Sequence, residues 1–377
     1  MKSNWGVVVG GLLLLSVGGG IWYSNHQTQA TESTQIGSTQ ADQAASAQLI
    51  HGLIGSEKAA YFQDPRVQAR LAELKLSVRV DKAGSRSMPS QLKASSYDFA
   101  FPAGTAQAVE IQQQTGARGM DEVFYTPMVV ATWKPVVAAL NSQGLIHQQG
   151  NTQLLDMQGL LPLMQQHTRW SDLKSPANSF RSNKSIIITT TDLNTSNSAS
   201  MYLALVSYLV NQQQVVQSTA EAEQAANQVK DLFGRQGYQE GSSAAPFEDY
   251  LALGMGKTPL LMTYESQMIQ YQYQQQGAID PNISVLYPVP TLYTKHVFIP
   301  LTARAQALQQ ALSTDPQLLA IAHEYGFRTK NPAATKAAWQ QHGIVTPDRL
   351  DDVIDPPNTV LLDAMIERIA QLVERGA

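Results

Sequence analysis

From about residue 49 onward, short runs of β-branched and apolar residues alternate with longer amphipathic stretches. That alternation is what βαβ units on a mainly parallel sheet leave in a sequence. Residues 49–55 read as a strand ending in a turn, and the apolar spacing of 65–75 (PRVQARLAELK) predicts a helix. Strands are expected over 76–80, 97–101, 123–133, 186–191, 259–264, 285–287 and 298–301. Helices are expected over 198–211, 303–312, 316–323 and 359–375.

The first 47 residues follow a different pattern. Residues 6–23 (GVVVGGLLLLSVGGGIWY) carry no charge over 18 positions, and Lys2 is the one cation before them. Such a run lies at the short end of a membrane span, and Trp22 and Tyr23 suit a membrane interface. Residues 1–23 are therefore expected to be a membrane anchor, with a cleaved signal as the alternative. Lys2 holds the short end in the cytoplasm. The folded body then lies beyond the inner membrane, in the periplasm or extracellular space, on a single-pass anchor. Residues 24–47 are Gln, Ser, Thr and Ala with few apolar positions, which predicts a flexible linker.

At 377 residues, two lobes are expected. Hydrophobic residues make up 43% and charged residues 15%, with a net charge of -4, which gives no electrostatic case for a nucleic-acid partner. The chain has no cysteine, which excludes disulfides, thiolate metal sites, a thiol nucleophile and a lipid-modified N-terminal cysteine. The seven histidines are scattered without metal-ligand spacing, no GxSxG elbow occurs, and Gly254-Met255-Gly256-Lys257-Thr258 lacks the first glycine of a phosphate loop. No enzyme, metal or cofactor is expected.

Four polar turns follow predicted strands: Gly55-Ser56-Glu57-Lys58, Gly84-Ser85-Arg86-Ser87, Pro102-Ala103-Gly104-Thr105, and the stretch from Thr191 to Ser198. In open α/β sheets ligands bind beyond the carboxyl ends of the strands, where helix N-termini present free N–H groups. Arg86 after a Gly-Ser turn has a planar fork suited to an oxyanion, or to a surface or interdomain salt bridge. The Ser56 and Ser85 hydroxyls are read as ligand donors, with helix capping as the alternative, and the backbone amides at Asn197 and Ser198 as facing the cleft, with plain N-capping as the alternative. Asp192 and Glu265 read as hinge acids; the alternative is a ligand with a positive group.

These turns, with Tyr97-Asp98-Phe99-Ala100-Phe101, Tyr125-Thr126-Pro127-Met128, Thr190-Thr191-Asp192 and Tyr264-Glu265-Ser266, resemble the type 2 periplasmic substrate-binding proteins of ABC transporters. The order of motifs is most similar to the branch that binds molybdate, sulfate and phosphate. The resemblance implies an α/β, two-lobed fold behind the N-terminal transmembrane helix. Lobe one would be 48–126 plus 266–377 and lobe two 127–265, with crossings near Tyr125-Thr126-Pro127 and Tyr264-Glu265-Ser266. It also implies a small oxyanion-like ligand held by Ser56, Ser85, Arg86, Gly104, Thr191, Asn197, Ser198 and Tyr264. The partner would be an ABC-transporter permease. The alternative is a membrane-anchored sensor or assembly factor that uses the same fold to touch another envelope protein.

Overall fold

The computed structural model describes residues 49–177, 179–275, 280–347 and 349–374. The expected anchor (1–23) and linker (24–47) lie outside the described residues. Among the described residues, no helix is long and apolar enough to cross a membrane.

Nine strands occur among the described residues: β1 (Leu49–Ile54), β2 (Ser77–Lys82), β3 (Phe99–Phe101), β4 (Asp121–Trp133), β5 (Ile146–Gln149), β6 (Thr152–Asp156), β7 (Leu260–Tyr264), β8 (Ile283–Val289) and β9 (Tyr293–Pro300). In the first lobe β2, β1 and β3 run parallel and β9 joins β3 antiparallel. Parallel strands are covered on both faces, so they are apolar on both. Accordingly Ile50, Ile54, Phe99 and Phe101 pack on one side with Val67 and Leu71 of the Pro65–Glu73 helix. Leu53, Ala100 and Ile299 pack on the other with Ile111 of the Thr105–Thr115 helix. The Pro65–Glu73 helix starts where it does because Asp64 accepts from the Arg66 amide at 2.7 Å and Pro65 fills the first helical position.

β4 belongs to both lobes. Asp121–Pro127 pairs antiparallel with β9, whereas Met128–Thr132 pairs with β7 and Val130–Trp133 with β8. β8 then pairs parallel with β6, and β6 with β5 in a hairpin. The second lobe is built around the Asn197–Val210 helix, which is buried at every position from 197 to 207. A helix apolar around most of its circumference is a central helix.

Three expectations are corrected. Residues 186–191 form no strand, only an isolated bridge between Thr189 and Leu261. Their amides are claimed elsewhere: Ile186 donates to Thr168 O and Thr190 to Gln236 Oε1. The second crossing lies between β8 and β9, at residues 289–293, not at 264–266, because β8 is hydrogen-bonded to β4 and β6. Residues 266–377 do not all return to the first lobe. Residues 349–358 lead back, Val353 bridging to Thr291, and the closing helix Thr359–Glu374 packs on Thr219–Gly234. Leu361, Leu362, Met365, Ile366 and Ile369 share one core with Ala222, Ala226 and Val229. The alanines of the 219–234 helix permit that close approach.

Leu362 is fully buried in that core. Leu362→Ala is expected to lower unfolding free energy by about 2–5 kcal/mol in urea titration, through lost transfer energy and a cavity. A change within about 0.5 kcal/mol, the usual range for surface substitutions, would place the closing helix outside the core.

Candidate functional site

Two helices from opposite lobes begin against each other. Gly104 caps Thr105–Thr115 and Ser196 caps Asn197–Val210, and neither cap's side chain accepts from a backbone amide of its helix, Ser196 Oγ meeting Ser198 Oγ instead at 3.0 Å. Gly104 has φ +106, and a Cβ there would lie 2.4 Å from Gln107 Oε1 and 2.5 Å from Asn197 Oδ1. Only glycine permits that conformation together with this approach. A second close approach occurs at Gly84, where a Cβ would lie 2.3 Å from Thr195 O and 2.5 Å from Gly241 O. The turn is fixed there by the Arg86 amide, which donates to Thr195 O at 3.0 Å.

Below the Gly104–Asn197 contact sits a buried ionic group. Lys58 Nζ donates to Glu57 Oε1 and lies 3.0 Å from His296 Nδ1, and all three side chains are at most 4% exposed. The Lys58 ammonium also lies 5.0 Å from the Phe101 ring centroid. Burial alone would raise the Glu57 carboxyl, but the Lys58 charge and the His296 contact hold it well below the usual carboxylate range. Burial pulls Lys58 down against the pull of Glu57. For His296, burial first and then the Lys58 charge push the imidazole down to about 4, so the ring is neutral at pH 7. Nδ1 faces both Lys58 Nζ and, at 3.3 Å, Glu57 Oε1, so a neutral ring either donates to the carboxylate or accepts from the lysine, and in the second tautomer its proton is on Nε2. That Nε2 is buried and has no partner among the described residues.

Other buried polar atoms here are also unpartnered: Ser56 Oγ, Gln107 Oε1 and Asn197 Oδ1. Asn197 Nδ2 donates to the Tyr264 hydroxyl at 3.2 Å, and the Tyr264 and His296 rings are 6.0 Å apart. Burial pushes the Tyr264 hydroxyl pKa up, so it stays protonated. Orphaned polar atoms are rare inside proteins because each forfeits its solvation. Several at one junction make it a place suited to a polar guest.

Of the residues singled out from sequence, Ser56, Gly104, Asn197 and Tyr264 come together around this group. Thr191 and Ser198 hydrogen-bond each other at 2.7 Å at the foot of the same helix. Ser85 is structural, its Oγ accepting from the Ala103 amide at 2.9 Å. Arg86 takes the salt-bridge alternative: its Nη2 donates to Asp363 Oδ1 of the closing helix at 2.5 Å. Asp192 accepts from the amides of Asn194 and Thr195, and Glu265 takes a two-pronged contact from Arg328 at 2.7 and 2.8 Å. Both acids are structural in these contacts. Sequence reasoning missed Glu57, Lys58, Gln107 and His296 as members of the site. Alternation along β9 carried a signal, since it puts His296 on one face with Thr294 and Phe298.

The buried group gives a pH dependence whose sign is fixed. Unfolded His296 takes a proton near 6.5, while the folded ring resists until about 4. Stability from this residue is therefore complete above 6.5 and falls by about 3 kcal/mol as pH drops to 4. Glu57, ordinarily protonated near 4.5 but held lower in the fold, adds a loss of the same sign below that pH. Thermal melts should show stability declining between pH 6.5 and 4, with His296→Gln removing most of that slope. An unchanged slope in the variant would assign the acid sensitivity elsewhere. Lys58→Met, which strands the Glu57 charge, should cost about 3–5 kcal/mol, and Glu57→Gln combined with it should recover most of the loss.

No protein-family model and no curated protein sequence matches the chain. Solved structures do. The sulfate-binding protein SubI from Mycobacterium tuberculosis aligns at TM-score 0.50 and 13% identity, over 80% of this chain and 92% of that one. The periplasmic binding protein AfuA from Actinobacillus pleuropneumoniae, with fructose-6-phosphate bound, aligns at 0.51 and 10%, over 86% and 97%. The substrate-binding protein of an ABC transporter from Agrobacterium tumefaciens aligns at 0.53 and 12%, over 88% and 94%. At these identities the likeness speaks for architecture alone, a mixed α/β fold. The fold of this chain is that of the type 2 periplasmic binding proteins.

Proposed function

We propose that the protein binds a small polar solute, an oxyanion in the first instance, at the junction of its lobes outside the cytoplasmic membrane, and delivers it to an ABC-transporter permease. The observation that carries this reading is the meeting of two helix N-termini from opposite lobes, neither capped by a side chain, beside four buried, unpartnered polar atoms. Helix N-termini hold anions through free N–H groups and the macrodipole. The cations of the junction are all paired: Lys58 with Glu57, Arg86 with Asp363 and Arg328 with Glu265. An oxyanion would therefore be held by neutral donors, namely helix amides, the Ser56 hydroxyl and, in the second tautomer, His296 Nε2–H. A half-turn of either amide, Gln107 or Asn197, presents its NH2 to the same point. Two structural neighbours, a sulfate-binding protein and a binding protein holding fructose-6-phosphate, take ligands of this chemical class.

A second reading has its own support. The Glu57–Lys58 pair fills part of the junction, and the Arg86–Asp363 contact ties the first-lobe turn to the closing helix. A junction held shut in this way suits an anchored sensor or assembly factor that touches another envelope protein. Native mass spectrometry of residues 48–377 separates the two readings. A co-purified small solute supports the first, and an empty protein that no oxyanion stabilises supports the second.

In calorimetric titration with sulfate, molybdate and phosphate, Asn197→Leu is expected to weaken binding about tenfold or more, the worth of a charge-assisted hydrogen bond. Arg86→Ala should change affinity by less than about threefold, because its guanidinium serves Asp363. The reverse pattern would move the site to the 84–87 turn.

A further inference from the structure

We propose that the 84–87 turn and the closing helix form a latch between the lobes, and that its release opens the junction to solute. The sheet runs β2, β1, β3, β9, β4, so β2 lies four strands from the shared strand, about 19 Å at ordinary strand spacing. The lobes are joined through β4 and through residues 289–293, so any rotation of one lobe against the other turns about that side. A turn just past the end of β2 is displaced far more by such a rotation than one beside β4. Three second-lobe segments meet the first lobe at this turn. Thr195 O accepts from the Arg86 amide at 3.0 Å, Gly241 O crowds Gly84, and Asp363 Oδ1 accepts from Arg86 Nη2 at 2.5 Å.

Asp363 follows the buried Leu362 on the closing helix, yet its own side chain is 46% exposed and reaches across to the other lobe. The Arg86 side chain that it meets is 12% exposed. The Asp363 charge is also felt on the Thr105–Thr115 helix of the first lobe, where burial and then Asp363 push the Glu110 carboxyl up. Arg86 Nε is buried without a partner among the described residues, and opening would return it to water. That rehydration offsets part of what the ion pair contributes, so the latch holds the lobes with a small margin. The turn also supports the wall of the candidate site, because Ser85 Oγ accepts from the Ala103 amide beside Gly104. The latch deepens the proposed function and rests on that reading for the solute, not for the motion.

The chain has no cysteine, so spin labels go cleanly onto Gln113→Cys and Gln224→Cys, exposed positions in the first and second lobe. Electron double resonance on the full chain without solute is expected to show one narrow distance. Asp363→Asn, which keeps the side chain's shape and removes its charge, should raise the share of a second distance about fivefold. Arg86→Ala should do the same, and the two together no more than either alone, because both remove one contact. In stopped-flow mixing with sulfate, Asp363→Asn should quicken association and dissociation about fivefold each and leave affinity within about threefold. If sulfate does not bind, the proposed oxyanion fails and the distances alone decide the latch. Distances unchanged in both variants, additive effects in the pair, or unaltered rates for a sulfate that does bind would each overturn it.

Discussion

One strand holds the two halves of this protein together. β4 runs for 13 residues, about 43 Å at ordinary strand rise, and exchanges partners midway. At Asp121–Pro127 it is laddered to β9, and from Met128 onward to β7 and β8 on its two sides. Because strand register is quantised, neither lobe can slip along the other without breaking a ladder. Thr126, fully buried at the change of partner, accepts from the Ser266 amide at 3.1 Å and fixes where the next helix begins. The positions of Gly104, Asn197 and Tyr264 relative to one another follow from this one element.

On that frame, charges are used for orientation more than for attraction. Glu57–Lys58, Arg86–Asp363 and Glu265–Arg328 each join a carboxylate to a cation in buried or half-buried surroundings. Such pairs add little net stability but penalise any arrangement that parts them. The Tyr287 hydroxyl donates to Glu265 at 2.7 Å, which leaves that carboxylate few free lone pairs. Around Ser56, Gly104 and Asn197 the unsatisfied capacity is neutral, made of hydroxyl, amide, imidazole and helix N–H, while on the 84–87 turn Arg86 Nε is buried and has no partner among the described residues.

The first lobe was largely legible in the sequence. The strands at 49–54 and 99–101 and the helix at 65–73 announce themselves by apolar spacing, a capping aspartate and a first-turn proline. What escaped reading has a common cause. Lys58 and His296 are 238 positions apart, and no local pattern reports a contact of that separation. Residues 186–191 have the composition of a strand, yet their amides answer to Thr168 and Gln236, a tertiary choice. The closing helix carried a clear apolar stripe at 361–369, but a stripe does not name its partner. The site was half visible for the same reason: its strand-end turns are local, and the group beneath them is not.

The closing helix also sets an order of events. The second lobe's core draws on Leu362, Met365 and Ile366, which lie more than 100 residues beyond the Thr219–Gly234 helix they cover. A ribosome makes that helix well before it makes its cover. Without Thr359–Glu374 the helix keeps its contacts with Met157–Gln165 and Asn197–Val210 but lacks the cover that Leu362, Met365 and Ile366 supply. Completing that core therefore depends on a contact of long sequence separation, whose loop must close before its burial is gained.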